Sequence, residues 1–275
     1  MLQFFIFPMA IVAVCVAVFV IFGLVASDGN SARDYVAEVR TGGISRRWQA
    51  AFELSKVLQS GRETAAKDER LVQEIVSLYD ESGKDDPRVR RYLAVALGRV
   101  GDPRAVPSLL RTLATPEADP ETVIYSVWAL GAIGDARAAP ALVKLAASED
   151  RGLRKAAVHA LGSMPSLETR AALESALGDA ADDVRWNAAL SLARQGDAAA
   201  APVLAEMMDR TRLARVQGIT PEQIDEAVLQ AVAATATVPG PELLAALARL
   251  RESDPSLEVR EAARQALERQ PPPAR

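Results

Sequence analysis

Four basic side chains stand at regular intervals that would let them act together. Arg104 and Arg111 are seven residues apart, and Arg137 and Lys144 repeat this pair further along the chain. Seven residues make about two helical turns, so both members of a pair would lie on the same side of a helix. Guanidinium and ammonium groups bind carboxylates through charge-assisted hydrogen bonds. The spacing therefore indicates a surface for a protein partner with an acidic patch. The alternative is a solvated helix face, since helix surfaces must carry charge somewhere.

A second basic group contains Arg210, Arg212 and Arg215. It lies in the segment from Arg210 to Gly218, which interrupts the repeating pattern described below. Insertions in repeat proteins often lie on a binding face, so this group is a second candidate for contact with a partner. The alternative is a connector without a binding role.

Catalytic and metal-binding chemistry has few residues to draw on. The chain has one cysteine, Cys15, and one histidine, His159, which disfavours zinc and haem sites. The Gly-Asp-Pro and Gly-Asp-Ala stretches lack the spacing and the lysine of a phosphate-binding loop. No nucleophile elbow is present. We therefore expect no catalytic residue, no cofactor and no metal site, and predict that the protein is not an enzyme.

The overall charge and composition bear on the class of partner and on the fold class. The formal net charge of the 275 residues is −4, which argues against a nucleic-acid partner held by a general basic field. Aromatic residues make up only 5%. A chain poor in aromatics and rich in the helix formers alanine and leucine favours an all-α fold.

Residues 4–26 form an apolar run, FFIFPMAIVAVCVAVFVIFGLVA, and residues 1–27 carry no Asp, Glu, Lys or Arg. A helix needs about 20 apolar residues to cross a bilayer, so residues 1–27 are predicted to form a transmembrane helix of a single-pass membrane protein. A buried core helix and a cleaved signal peptide are the alternatives. A signal peptide should begin with basic residues and have a shorter apolar core. Arginines follow the run and none precedes it, which favours a cytoplasmic over a periplasmic domain.

The rest of the chain repeats a unit of two helices separated by a break. The anchor leucines, which close the first helix of each unit, are Leu97, Leu130, Leu161 and Leu192, spaced 33, 31 and 31 residues apart. Seven residues before them stand Arg90, Val123, Arg154 and Arg185, and five after them stand Asp102, Asp135, Ser166 and Asp197. A period in this range indicates stacked supersecondary units.

The break between the two helices has a local explanation. Gly101 stands where a helix C-terminal cap would be, Asp102 can accept hydrogen bonds from the next helix, and Pro103 suits its first turn. Neither helix can bury its apolar face alone. Similar breaks must therefore recur at matching places, so that stacked neighbours form one continuous core.

The stretch DPRVRRYLAVALGRVGDPRAVPSLLRTL resembles a HEAT repeat of the short bacterial type also found in phycobilin-lyase-like proteins. The resemblance covers roughly residues 31–269 and is clearest over 86–208. It implies an α-solenoid, a right-handed superhelix with first helices on the convex side and second helices on the concave side. The four regularly spaced basic residues would then form a concave ridge. The repeated arginine would reach an acidic group near a loop at Arg90, Arg154 and Arg185, and Val123 departs from this pattern.

The predicted organisation has five parts. The transmembrane helix at 1–27 precedes N-terminal helical repeats and a charged loop at 28–85, in which 61–70 is the loop. Regular repeats follow at 86–208, irregular repeats with a terminal cap at 209–269, and a proline-rich tail at 270–275.

The leading functional hypothesis is a membrane-anchored scaffold that binds a protein partner at the membrane. An accessory or assembly factor for a cofactor-containing enzyme, lyase-like or chaperone, is the main alternative, and it predicts a pocket with convergent polar groups. A small subunit of a membrane complex is the other alternative.

Overall fold

The computed structural model describes residues 31–269 apart from residues 61 and 239, and the regular elements in this part of the chain are helical. The α-helices are α1 (Ala32–Thr41), α2 (Ile44–Ser60), α3 (Arg62–Lys67), α4 (Glu69–Glu81), α5 (Pro87–Val100), α6 (Val106–Leu113), α7 (Pro120–Ile133), α8 (Ala139–Ala146), α9 (Arg151–Leu161), α10 (Leu167–Ala176), α11 (Asp182–Arg194), α12 (Ala201–Met207), α13 (Arg210–Leu213), α14 (Pro221–Ala234), α15 (Pro241–Ser253) and α16 (Leu257–Arg269). Single 3₁₀ turns lie at Ser82–Lys84, Pro103–Ala105, Ala136–Ala138 and Ala198–Ala200.

The break inside each unit is formed by the residues that the sequence indicated. Helix α5 ends at Gly101, whose φ of +74° is the left-handed conformation that glycine adopts without strain. The Asp102 carboxylate accepts a hydrogen bond from the Arg104 N–H, and Pro103 begins the 3₁₀ turn that leads into α6. Gly134 ends α7 in the same way, with φ +73°. The predicted caps of these two breaks are confirmed.

The helices form two layers. The first helices are α2, α5, α7, α9, α11, α14 and α16, each packed on the next. The second helices are α1, α4, α6, α8, α10, α12 and α15, which cover them on one side. The four anchor leucines are at most 1% exposed, so they lie in one core that runs between the layers. This arrangement confirms the predicted all-α solenoid of helix pairs.

Consecutive first helices approach closely because small residues meet between them. A Cβ built on Gly98 would lie 2.9 Å from the Ala129 Cα, and one built on Gly131 would lie 2.8 Å from the Ala160 Cα. Through the regular repeats the first helices pack along their lengths, whereas neighbouring second helices make few contacts or none. A stack of two layers curves toward the layer whose helices are more closely spaced, so this spacing favours the first helices as the inner side. The resemblance implied the opposite assignment, and the glycine–alanine spacing argues against it.

A buried hydroxyl network links the N-terminal units. The fully buried Tyr79 hydroxyl of α4 hydrogen-bonds Thr112 Oγ1 of α6 at 2.7 Å and Ser126 Oγ of α7 at 2.8 Å. The Arg90 guanidinium donates to the same threonine at 3.0 Å and stacks over the tyrosine ring. Four helices are therefore joined by polar contacts inside an otherwise apolar core.

We expect Tyr79→Phe to lower the free energy of unfolding by about 1–2 kcal/mol, because it removes two hydrogen bonds from buried hydroxyls. Tyr125→Phe, which alters a tyrosine that is 36% exposed, should change it by less than about 0.5 kcal/mol. Urea denaturation followed by circular dichroism measures both variants. Equal changes in the unfolding free energy of the two variants would mean that water replaces the lost hydrogen bonds of Tyr79.

The segment predicted as a charged loop at 61–70 contains a helix. Helix α3 spans Arg62–Lys67 and buries Ala65. Asp68 then caps α4 by accepting the Leu71 N–H, and it pairs with Arg33 of α1 at 2.6 Å. The loop prediction was wrong because this stretch packs on α5 and buries Ala65, which the charged composition did not indicate.

The predicted localisation as a single-pass membrane protein is corrected. None of the helices in the described part of the chain is long and apolar enough to span a bilayer. The longest of them, α2, has 17 residues and includes charged side chains, whereas a span needs about 20 apolar residues. The segment at 4–26, on which the prediction rested, lies outside the described residues.

Candidate functional site

The predicted basic ridge lies on second helices and the turns before them, and three of its four cations are paired. The Arg104 guanidinium binds the Asp102 carboxylate at 2.8 Å, and Arg137 binds Asp135 at 2.7 Å. Arg111 of α6 pairs with Asp80 of α4 at 2.6 Å. Lys144 of α8 is exposed and has no ion-pair partner among the described residues. Neighbouring aspartates therefore offset most of the charge, and the ridge lies on the outer side of the stack.

The three arginines of the second basic group lie in three different environments. Arg210 binds Asp254 through two hydrogen bonds of 2.6 and 2.8 Å and Asp225 at 2.7 Å. Both carboxylates raise the pKa of the guanidinium. Arg212 forms an exposed pair with Glu206, and Arg215 is exposed without a partner in the described part. Arg210 thus ties α13 to α14 and to the turn before α16, and its guanidinium is occupied within the chain.

The repeated arginines hold the turns between units. Arg154 binds both carboxylate oxygens of Asp179, at 2.8 and 3.1 Å, and the Ser148 carbonyl. Its hydrogen bond lowers the pKa of the Asp179 carboxyl. Arg185 donates to the Asp179 carbonyl and pairs with Asp182. Arg90 differs, because it reaches Thr112 and its buried Nε has no hydrogen-bond partner.

The repeated aspartates cap the 3₁₀ turns. Asp102, Asp135 and Asp197 each accept the backbone N–H two residues later. Hydrogen bonds from Arg137 lower the pKa of Asp135 to about 2. Asp197 also receives the Arg170 guanidinium of the preceding unit. These carboxylates have structural partners inside the chain.

Sequence analysis missed an aromatic surface on the first helices. Residues two, five and six positions before an anchor leucine lie opposite it on a helix, and so face solvent. Leu54 occupies the anchor position of α2, and over α2, α5 and α7 these positions include five aromatic residues: Trp48, Phe52, Tyr92, Tyr125 and Trp128. Phe52 is 38% exposed and Trp128 is 39% exposed. The repeat frame could have identified them, but only by treating the first helices as the accessible layer.

The aromatic residues of α2 and α5 form one cluster. The Phe52 and Tyr92 rings meet edge to face with centroids 5.1 Å apart, and Trp48 lies 6.4 Å from Tyr92. The Arg88 guanidinium stacks 4.5 Å above the Trp48 ring, and the Lys56 ammonium lies 5.3 Å from the Phe52 ring. Large apolar surface with cations at its edge is typical of protein–protein contact regions.

Arg99 of α5 lies next to this cluster. Its guanidinium donates to the Ser55 carbonyl and to Ser55 Oγ on α2. The Trp128 ring of α7 covers the adjacent Gly98, where an added Cβ would meet it at 2.7 Å. Arg88 pairs with Asp86, but no carboxylate of the described residues pairs with Arg99. The inner face therefore holds a partly buried, uncompensated positive charge beside exposed aromatic rings.

A cleft of about 460 Å³ lies further along the first-helix face, between α9, α11 and α14. Residues 216–219 of the irregular segment form part of its wall, and Trp186, Asn187 and Gln223 line it. Its two cations are paired internally, since Asp183 receives Arg151 at 2.8 Å and Lys155 at 3.5 Å. The cleft therefore offers amide groups, one aromatic ring and the Glu226 carboxylate.

Comparison with known proteins agrees with this architecture. The family profile described as HEAT repeats matches residues 73–162, 113–185 and 145–220, which together cover more than half of the chain. The complex of CpcE and CpcF of phycocyanin lyase from Nostoc sp. PCC7120 is similar, with 20% identity, a TM-score of 0.57, and coverage of 87% of this chain and 96% of that one. An archaeal HEAT-like repeat protein from Thermococcus onnurineus NA1 has 16% identity, a TM-score of 0.47, and coverage of 88% and 97%. No curated protein matches the sequence.

At this identity the likeness to the lyase complex shows a shared fold alone. The profile match shows more, because its ranges cover more than half of the chain and include the four anchor leucines with their helix breaks. This chain belongs to the HEAT-repeat family.

Proposed function

We propose that the protein is a non-catalytic interaction scaffold that binds a protein partner on the inner, first-helix face. The observation that carries the proposal is the set of exposed aromatic side chains on α2 and α7, with Tyr92 of α5 between them. Aromatic residues and arginine dominate binding energy at protein interfaces. A solenoid also offers a long curved surface that is suited to a protein partner.

The ion pairs within the chain favour the first-helix face over the outer ridge as the binding surface. The ridge arginines Arg104, Arg111 and Arg137 already hold carboxylates of their own chain. A partner there would have to compete with those pairs for little gain, since exposed ion pairs contribute about 0–1 kcal/mol. Burial of Phe52 and Trp128 by a partner would instead remove apolar surface from water.

The second candidate is an accessory factor for a cofactor-containing enzyme. The cleft near Trp186 favours it, because convergent polar groups line that cleft, and the CpcE–CpcF complex has a similar fold. The internal pairing of Arg151 and Lys155 with Asp183 argues against a bound anionic group. The scaffold therefore remains the better supported of the two.

Site-specific photocrosslinking tests the choice of face. A benzoylphenylalanine residue replaces Tyr125 on the inner face, Lys144 on the ridge, or Leu167, an exposed apolar residue of a second helix. After irradiation in native cells, mass spectrometry identifies the crosslinked product. We expect one protein to crosslink at position 125 and not at 144 or 167.

Each other outcome has a defined meaning. Crosslinks confined to position 144 would instead support binding of the partner at the basic ridge. The absence of a protein product at all three positions would contradict the scaffold. Copurification of a small molecule that Trp186→Ala abolishes would favour the accessory factor.

A further inference from the structure

The aromatic cluster and the unpaired arginine beside it point to the chemistry of the partner. We infer that Phe52, Arg99 and Trp128 bind a segment of a partner protein in which a carboxylate side chain stands beside a large apolar one. This inference rests on the proposed function and specifies which partner segment the inner face recognises.

The three side chains lie on three successive first helices. Phe52 lies on α2, one turn before Ser55, whose carbonyl and hydroxyl hold the Arg99 guanidinium of α5. Trp128 of α7 covers the residue before Arg99. The arginine therefore lies on the middle one of the three helices, where it contacts α2 one turn from Phe52 and follows the glycine that Trp128 covers. Both aromatic residues are more than one third exposed, so a ligand that spans the two rings would cross the helix that carries the charge.

An acidic group is the complement that this charge requires. The Arg99 guanidinium is fixed by neutral acceptors on Ser55, and no carboxylate neutralises it within the described part of the chain. Burying it under an apolar ligand alone would remove water from an unpaired cation, which is costly. A ligand carboxylate would form a charge-assisted hydrogen bond in a place where apolar contacts exclude water.

Cationic ligands fit poorly here. Arg88 already occupies a face of Trp48, and Lys56 lies over Phe52. A further cation would meet these charges and Arg99, and would find fewer free aromatic faces.

Single-stranded nucleic acid also uses aromatic rings and arginine, but the surroundings argue against it. Arg91 is paired with Asp119 and Glu121, and Arg88 with Asp86. These carboxylates lie at the N-terminal ends of α5 and α7, whereas Arg99 lies at the C-terminal end of α5. A chain with one phosphate per nucleotide that ran along these helices would be repelled by the carboxylates at one end. An isolated carboxylate within an apolar segment fits the charge pattern better.

Peptide selection tests the inference directly and needs no identified partner. A phage-displayed library of random dodecapeptides is panned against the full chain, and the most enriched sequence is synthesised with a fluorescent label. We expect Asp or Glu next to Phe, Trp or Leu among the enriched clones. Binding of the synthetic peptide is then measured by fluorescence anisotropy.

Arg99→Gln should raise the dissociation constant about tenfold to a hundredfold, because it removes a charge-assisted hydrogen bond. The amide can still donate to Ser55, which protects the fold. Phe52→Ser and Trp128→Ser should each weaken binding to a similar extent. Replacing the acidic residue of the peptide by its amide should weaken binding to the wild type and have little further effect on Arg99→Gln.

Two matched variants serve as controls. Arg194 of α11 is also two residues after an anchor leucine and donates to the His159 carbonyl, but it lies outside the aromatic cluster. Leu167→Ser removes an exposed apolar side chain from a second helix. Arg194→Gln and Leu167→Ser should bind the peptide like the wild type, and circular dichroism should show that every variant is folded.

Several results would overturn the inference. These are enrichment without acidic residues, binding insensitive to Arg99→Gln, failure to enrich any peptide that depends on Phe52 and Trp128, or tighter binding of a twelve-nucleotide single strand than of the peptide. If photocrosslinking at 125 still captures a protein, only the chemistry assigned here is wrong. If no protein is captured there, the proposed function itself fails.

Discussion

Arg210→Ala is expected to lower the free energy of unfolding by about 3–5 kcal/mol, the usual cost of removing one partner from a buried ion pair. The variant leaves Asp254, whose side chain is 1% exposed, without a cation. The Ser256 N–H would then be the remaining donor to that carboxylate. Urea denaturation at neutral pH followed by circular dichroism measures the loss.

The neighbouring arginine provides the matched control. Arg212 also pairs with a carboxylate, that of Glu206, but both groups are in contact with solvent, so Arg212→Ala should cost less than about 1 kcal/mol. Adding Asp254→Asn to Arg210→Ala should restore much of the loss, because an amide does not leave a buried charge. Equal losses for the two single variants, or no recovery in the double variant, would show that Asp254 is solvated.

Gly131→Ala is expected to destabilise the chain by about 1–3 kcal/mol through overpacking. The new methyl group would lie 2.7 Å from the Ala160 Cβ and 2.8 Å from its Cα. The second atom belongs to the backbone, so α7 and α9 must move apart. This cost outweighs the gain of up to about 1 kcal/mol that alanine has over glycine in a helix.

The same substitution should also alter the shape of the stack. Separating two first helices reduces the difference in spacing between the layers, so small-angle scattering should record a larger radius of gyration. Gly43→Ala is the control, since nothing lies within 4 Å of its Cβ position. Its unfolding free energy should stay within about 0.5 kcal/mol of the wild type. Equal stability of the two variants would contradict the close approach of α7 and α9.

Much of the fold follows from short-range features of the sequence. The anchor leucines recur at a helical-repeat period, and Gly101 with Asp102 marks where one helix must stop and the next must start. Such signals act over a few residues, because caps and turn conformations depend on local backbone chemistry. They predicted the helix pairs and their register. The stretch at 61–70 was assigned wrongly, because its helix is stabilised by packing on α5, which is distant in sequence.

The candidate site could not be predicted from such local signals. The basic spacing of Arg104 and Arg111 is visible in the sequence, but their carboxylate partners are set by the turn at Asp102 and by Asp80 of another unit. Arg210 looked like a loop residue available for binding, yet its main partner is Asp254, 44 residues away. Ion pairs between units depend on how helices stack, and no local pattern reports that.

The sequence by itself determined the repeat, the helix breaks and the buried side of each helix, because these depend on local propensity and on apolar period. Tertiary structure decided which layer is the inner one. Gly98 and Gly131 let the first helices approach closely, and this spacing bends the stack toward them. It brings Phe52, Arg99 and Trp128 together on the inner face and leaves the basic row of the second helices outside.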